Sequence, residues 1–293
     1  MIRFKAIDSS GSLIKSALSP FTFPAGEAHA KVEDRRELED TEIAILNPSR
    51  DSMHADLFHL AMWNDHIARY NAHSNHTARR VALIPYFPGA RADRGTPFGL
   101  GVYADFIRNL DLDQLVIFDP HSGVTTELLP NATVLEPADL IGALSAHYDG
   151  VIAPDAGAVR RAGRVASTLG VPLLTATKKR NYHTGKLEGY NAPEGVVPAH
   201  RYLVVDDICD GGGTFMLLAD SLDGYGVFLD LWVSHGIFSG RALEMLPTKY
   251  DHIYTTDSYA SERLAEVVSH EQFGVLSVTS HMLGEIITEG AVA

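Results

Sequence analysis

The chain has 293 residues, 45% hydrophobic and 21% charged, with a formal net charge of -13. That length suits two globular domains, and the acidic balance argues against nucleic acid or an anionic membrane as a partner, so any phosphate site must be locally basic or metal-assisted. Cys209 is the single cysteine, which excludes an intrachain disulfide and a cysteine-based zinc site. No apolar run approaches the ~18 residues that span a bilayer. The segment Met1–Asp8 is too short and polar for a signal peptide, so a soluble cytoplasmic protein is the expectation.

Short apolar runs alternate with amphipathic segments along the chain. Strands are predicted at Glu42–Leu46, Val81–Phe87, Leu115–Asp119, Gly150–Pro154, Val171–Thr175, Tyr202–Asp206, Val227–Val233, Ile253–Thr256 and Val275–Val278. Helices are predicted between them. Leu140, Ile141, Leu144 and Tyr148 share one helical face, as do Val159, Ala162, Val165, Ala166 and Leu169. This rhythm predicts an α/β fold of mainly parallel sheets flanked by helices, with ligands beyond the carboxyl ends of the strands. The rhythm runs twice, with a seam near Leu144–Gly150, which predicts domains at 1–146 and 147–293. The segment Lys178–His200 is long, polar and punctuated by Gly and Pro. It reads as a functional or mobile loop.

Five constellations fall at predicted strand ends. Pro85-Tyr-Phe-Pro-Gly-Ala-Arg-Ala-Asp-Arg94 sets Arg91 and Arg94 around Asp93. Arginine forks suit polyphosphate oxygens, and a surface Asp–Arg pair is the plain alternative. In Phe118-Asp-Pro-His-Ser-Gly123, His121 could meet a phosphate or a nucleotide-carried metal, or be structural. In Pro154-Asp-Ala-Gly-Ala-Val-Arg-Arg161, Asp155 suits magnesium or a helix cap. Thr177-Lys-Lys-Arg180 is either a solvated turn or a mobile clamp on transition-state charge. The most specific is Tyr202-Leu-Val-Val-Asp-Asp-Ile-Cys-Asp-Gly-Gly-Gly-Thr214. There the paired carboxylates Asp206 and Asp207 suit two neighbouring sugar hydroxyls. Asp210, Gly211, Gly212, Gly213 and Thr214 then lead into a helix whose start favours an anion. Together they describe a grip on a phosphorylated ribose.

Taken in order, these motifs resemble those of ribose-phosphate pyrophosphokinases. Phe23-Pro-Ala-Gly-Glu27 resembles the family's Phe-x-Asp-Gly-Glu, and Pro85–Arg94 resembles Pro-Tyr-Phe-Gly-Tyr-Ala-Arg-Gln-Asp-Arg. Asp119-Pro-His-Ser122 and Pro154-Asp-Ala-Gly157 follow. Lys178-Lys-Arg180 resembles Lys-Arg-Arg, and Asp206–Thr214 resembles Asp-Asp-x-x-Asp-Thr-x-Gly-Thr. Ser234-His-Gly-Ile-Phe-Ser-Gly240 resembles Thr-His-Gly-x-Phe-Ser-Gly.

The resemblance implies two tandem phosphoribosyltransferase-type (type I) domains and a homo-oligomer built from dimers, up to a hexamer. It implies magnesium-dependent transfer of the β,γ-diphosphoryl group of ATP to the 1-hydroxyl of ribose 5-phosphate, releasing AMP. Phe23, Glu27, Arg91, Arg94 and His121 would then bind ATP, His121 and Asp155 magnesium, and Asp206, Asp207 and Asp210 to Thr214 the ribose phosphate. Lys178 and Arg180 would be the catalytic cations. The first domain would carry the ATP motifs and the second the acceptor loop.

The chain departs from the family pattern at Ala25 and Ala92, where aspartate and glutamine are usual, and in the short Gly95-Thr-Pro-Phe98 connection, which implies reduced allosteric control. It departs again at Gly211-Gly-Gly213, which is less bulky than Thr-x-Gly and leaves room for a larger 5-substituted ribose such as ADP-ribose. A phosphoribosyltransferase that consumes the diphosphate, and a non-catalytic regulatory paralogue, are the competing classes. The first does not explain Pro85–Arg94 or His121, and retention of Lys178, Arg180, His121 and Asp155 argues against the second.

Overall fold

The computed structural model of the chain describes residues 2–33, 37–180, 187–260 and 263–292. Their contacts divide into two units. The first takes the chain up to Leu135, with Ser258–Ala260 and the stretch from Ser277 onward. The second takes Glu136–Asp257 and the stretch that ends at Leu276. Where the sequence suggested one cut after residue 146, the contacts change over at Leu135 and change back near the end of the chain.

The first unit contains β1 (Ile2–Ile7), β2 (Leu13–Lys15), β3 (Leu18–Thr22), β4 (Ala28–Val32), β5 (Thr41–Leu46), α1 (Met53–His73), β6 (Arg79–Ile84), α2 (Gly99–Arg108), β7 (Gln114–Phe118), α3 (Gly123–Leu128) and β8 (Thr133–Leu135). Its main sheet has the order β2-β1-β5-β6-β7-β8. Strands β5 to β8 are parallel, and β1 adds to them antiparallel. The central strands are continuous apolar runs because helices cover both faces; Ile43, Val81, Leu83 and Ile117 are all buried. Helix α1 buries Leu57, Leu60, Trp63 and Ile67 along one stripe. The β3–β4 hairpin forms its own two-stranded sheet. It is tied to α1 where His59 Nε2 lies 2.9 Å from the Phe21 carbonyl oxygen.

The second unit contains α4 (Pro137–Leu140), β9 (Gly150–Ala153), α5 (Val159–Leu169), β10 (Leu173–Thr175), β11 (Thr177–Arg180), β12 (Leu187–Asn191), β13 (Arg201–Cys209), α6 (Gly213–Ser221), β14 (Phe228–Gly236), α7 (Ala242–Met245), β15 (His252–Thr256), α8 (Leu264–Ser269) and β16 (Phe273–Leu276). Its sheet, β10-β9-β13-β14-β15-β16, is parallel throughout. At the amino ends of its middle strands the buried Asp230 accepts hydrogen bonds from Tyr148 Oη at 2.9 Å and Arg201 Nη1 at 2.7 Å. His252 Nδ1 lies 3.4 Å from the same carboxylate. The last helix, α9 (Val278–Val292), belongs to the first unit. There Asn47 Nδ2 donates to Thr279 Oγ1 at 3.1 Å, while Asn47 Oδ1 accepts from Arg3 Nη2 at 2.8 Å.

Two expectations change. The helical face drawn through Leu140, Ile141, Leu144 and Tyr148 is broken. Helix α4 passes into a 3₁₀ turn at Ile141–Ala143, and Leu144 is extended. Gly142 favours this exit, since glycine loses the most entropy in a helix. The loop expected at Lys178–His200 opens as an antiparallel hairpin, with Lys178 opposite Tyr190. No helix among the described residues is long and apolar enough to cross a membrane.

Candidate active site

The acidic glycine loop sits where β13 passes into α6. Asp206 and Asp207 lie near the carboxyl end of β13, and both face the guanidinium of Arg161 on α5. Arg161 Nη1 lies 3.5 Å from Asp206 Oδ1, and Nη2 lies 3.7 Å from Asp207 Oδ2. The Asp207 N–H also donates to Asp206 Oδ1 at 2.9 Å. Burial, and then the neighbouring Asp207 charge, push the Asp206 carboxyl well above the usual carboxylate range, while Arg161 pulls it back.

The rest of the loop is organised around backbone. Ser239, just past β14, donates its hydroxyl to Asp210 Oδ1 at 2.6 Å and its N–H to the Asp210 carbonyl at 3.0 Å. Gly212 precedes α6 with φ +77°, a conformation that side chains resist. Gly211 and Gly213 face no such demand. A Cβ at Gly213 would meet nothing within 4 Å, and one at Gly211 only Ser239 Oγ at 3.9 Å. The opening N–H groups of α6 have no intrahelical acceptor and suit an anion. Cys209, one residue before Asp210, is buried, and burial with the Asp210 and Asp206 charges pushes its thiol up, which disfavours the nucleophilic thiolate.

Asp155 follows β9, the strand next to β13. Both oxygens of this residue are engaged, one as a helix cap and the other in an ion pair. Oδ1 accepts from the N–H groups of Gly157 at 2.8 Å and Ala158 at 3.3 Å. Oδ2 makes a close ion pair with Lys178 Nζ. Burial alone would raise this carboxyl, but Lys178 and the two N–H donors hold it below its ordinary value. A cleft of about 440 Å³ is lined by Asp155, Ala156, Gly157, Thr175, Ala176, Thr177 and Lys178. Arg180 ends β11, and its side chain lies outside the described residues.

The first unit gathers a second group at the carboxyl ends of the adjacent strands β6 and β7. Arg94 Nε donates to Asp93 Oδ1 at 3.1 Å. Burial works to raise Asp93, and the Ser122 hydroxyl, Arg94 and His121 outweigh it. Two motifs 28 residues apart, counted from Asp93 to His121, therefore converge there. Arg91 and Arg94 are exposed. Phe23 and Glu27 stand elsewhere, on the exposed turn of the β3–β4 hairpin, where Phe23 stacks on His29 at 5.7 Å between centroids. His121 belongs to the first unit and Asp155 to the second. Among the described residues no group of three or more His, Cys, Asp or Glu could hold a metal by itself.

Arg161 and Ser239 are the residues that motif reading passed over. Arg161 lay inside a quoted motif, but nothing in the sequence showed that it is buried against carboxylates 45 and 46 positions away. Ser239 lay in the Ser234–Gly240 segment with no chemistry attached to it.

Residues 138–263 match the phosphoribosyl transferase domain family. A ribose-phosphate pyrophosphokinase of Agrobacterium fabrum is 30% identical over 245 residues, covering 78% of this chain and 77% of that protein. Another, from Hyphomonas neptunium, is 28% identical over 278 residues, covering 91% and 86%. The crystal structure of phosphoribosylpyrophosphate synthetase from Mycobacterium smegmatis superposes with a TM-score of 0.78 at 22% identity, covering 95% of this chain and 92% of that one, and shares the two-unit α/β fold. With this coverage by relatives and the ordered motifs from Pro85 to Thr214, the chain belongs to the ribose-phosphate pyrophosphokinase family.

Proposed function

We propose that the chain transfers the β,γ-diphosphoryl group of ATP to the 1-hydroxyl of ribose 5-phosphate, giving phosphoribosyl pyrophosphate and AMP. One observation carries the reading. At the carboxyl ends of β9 and β13, the second unit brings together a carboxylate pair, a glycine-lined helix start and Lys178 paired with Asp155, a set that suits a ribose diol, a 5-phosphate and transferring phosphoryl charge.

In this reading Asp206 and Asp207 hold the two ring hydroxyls, and Asp210 to Thr214 hold the phosphate. The acceptor's 1-oxygen attacks the β-phosphorus, the bond to the α,β-bridging oxygen breaks, and AMP leaves as the hydroxyl proton passes to solvent. Lys178 and Arg180 stabilise charge on the departing oxygen, with no covalent intermediate on the protein. Arg91, Arg94, Phe23 and Glu27 serve the nucleotide. Magnesium, when bound, would neutralise phosphate charge; Asp155 is the hard oxygen donor the second unit would offer it, and His121 is the candidate donor of the first unit. A homo-oligomer built from dimers is part of the proposal.

A second acceptor is favoured by one specific observation, the open space at Gly211 and Gly213. Neither glycine is demanded by its neighbours, and the absence of side chains there would accommodate a larger 5-substituent such as that of ADP-ribose. The diol grip would be the same. Mass analysis of products from MgATP with ribose 5-phosphate or ADP-ribose separates the two acceptors. Failure to form AMP and a 1-diphosphate from either would sink the reading. Lys178→Ala is expected to lower kcat by about a hundredfold or more with nucleotide binding little changed; wild-type turnover in that variant would remove Lys178 from the mechanism.

A further inference from the structure

Two adjacent carboxylates in a poorly solvated loop repel one another and resist ionisation. A grip on a sugar diol needs both as acceptors, because a carboxylate takes hydrogen bonds from hydroxyls only through unprotonated oxygens. Something must oppose that repulsion. In the second unit the group that faces both is Arg161, which is 9% exposed and presents a different guanidinium nitrogen to each carboxylate.

We propose that Arg161 is the positioning residue of the diol grip, offsetting the repulsion between Asp206 and Asp207 and fixing their separation without itself touching the acceptor. This rests on the acceptor assignment made above. The guanidinium is planar and always charged, so one rigid group can set two partners at once in a way lysine cannot. Asp206 Oδ1 is engaged by Arg161 and by the Asp207 N–H. Among the described residues, Asp207 and Cys209 on its own strand, Arg161 from α5 and Tyr190 from β12 act on or feel Asp206. Arg161 is the cation among them.

The test is the pH dependence of kcat/KM for the acceptor in the full-length protein, with calorimetric titration of ribose 5-phosphate alongside. Removing the Arg161 charge leaves Asp206 harder to ionise. In Arg161→Met the acid limb of kcat/KM is therefore expected to move to higher pH by about one unit or more. The acceptor KM should rise by about tenfold to a hundredfold, while the KM for ATP stays near the wild-type value. Arg161→Lys retains the charge but not the two-pronged geometry; its acid limb should lie close to the wild type while its acceptor KM stays raised. A residue that only ties α5 to β13 would lower activity evenly across pH, with the limb unmoved.

An acid limb in Arg161→Met that coincides with the wild type overturns the proposal. So does a limb in Arg161→Lys displaced as far as in the methionine variant. Should the methionine variant not fold, the lysine variant decides: acceptor affinity equal to wild type overturns the positioning role. A wild-type protein that neither binds nor uses the acceptor overturns the functional reading itself, whereas a working wild type with an unaltered Arg161 variant overturns only the role of Arg161.

Discussion

Asp206 shows function placed against stability. Its carboxyl is raised by burial and by Asp207, so the folded protein binds that proton more tightly than the unfolded chain does. The cost of ionising it is absent at acid pH, where both states are protonated, and grows as pH rises through the folded-state value. Asp206→Asn removes the charge but not the shape. It is expected to stabilise the protein at neutral pH by about 1 kcal/mol, or about 2–4 °C, with the gain fading as pH falls toward the ordinary carboxylate range. The same variant should lose most acceptor binding. Thermal melts over a pH series check the first part, and a variant less stable than wild type at neutral pH would refute it. Such a trade is expected where a site is built from strained charge.

Among the elements, the two ends of the second unit's sheet divide the labour. The carboxyl ends carry the site, and the amino ends carry Asp230, fully buried and joined to Tyr148, Arg201 and His252. These residues precede or begin β9, β13 and β15 and flank β14, so one carboxylate clamps four consecutive strands. Asp230→Ala removes the shared acceptor of Tyr148 and Arg201, leaving Arg201 with Asp251 at 3.3 Å, and should cost about 1–3 kcal/mol, read as a lower urea midpoint. A midpoint near wild type would show that the clamp contributes nothing. The nine predicted strands all exist, because central parallel strands are short apolar runs and read clearly. Strand β1 was not visible, since Arg3 and Lys5 alternate with its buried Ile2, Phe4 and Ala6 and look like a polar terminus. Strands β11 and β12 were hidden by their polarity. The acidic loop was legible because its residues are contiguous; Arg161 was not, because it faces that loop through tertiary packing alone.

For the whole molecule, the informative feature is the return of the chain to its first unit. Asn47 is the tie, bonding Arg3 of β1 and Thr279 of α9 from the end of β5. Asn47→Ala removes both hydrogen bonds and should lower stability by about 1–3 kcal/mol. Chemical denaturation checks this, and an unchanged midpoint would mean that α9 is held by apolar contact alone. The return also bears on synthesis. Domains tend to fold in the order in which they leave the ribosome. Here the unit begun first cannot be finished until α9 emerges, after every strand of the second unit has been made. The second unit can therefore reach its native state while the earlier-made one still lacks its last helix.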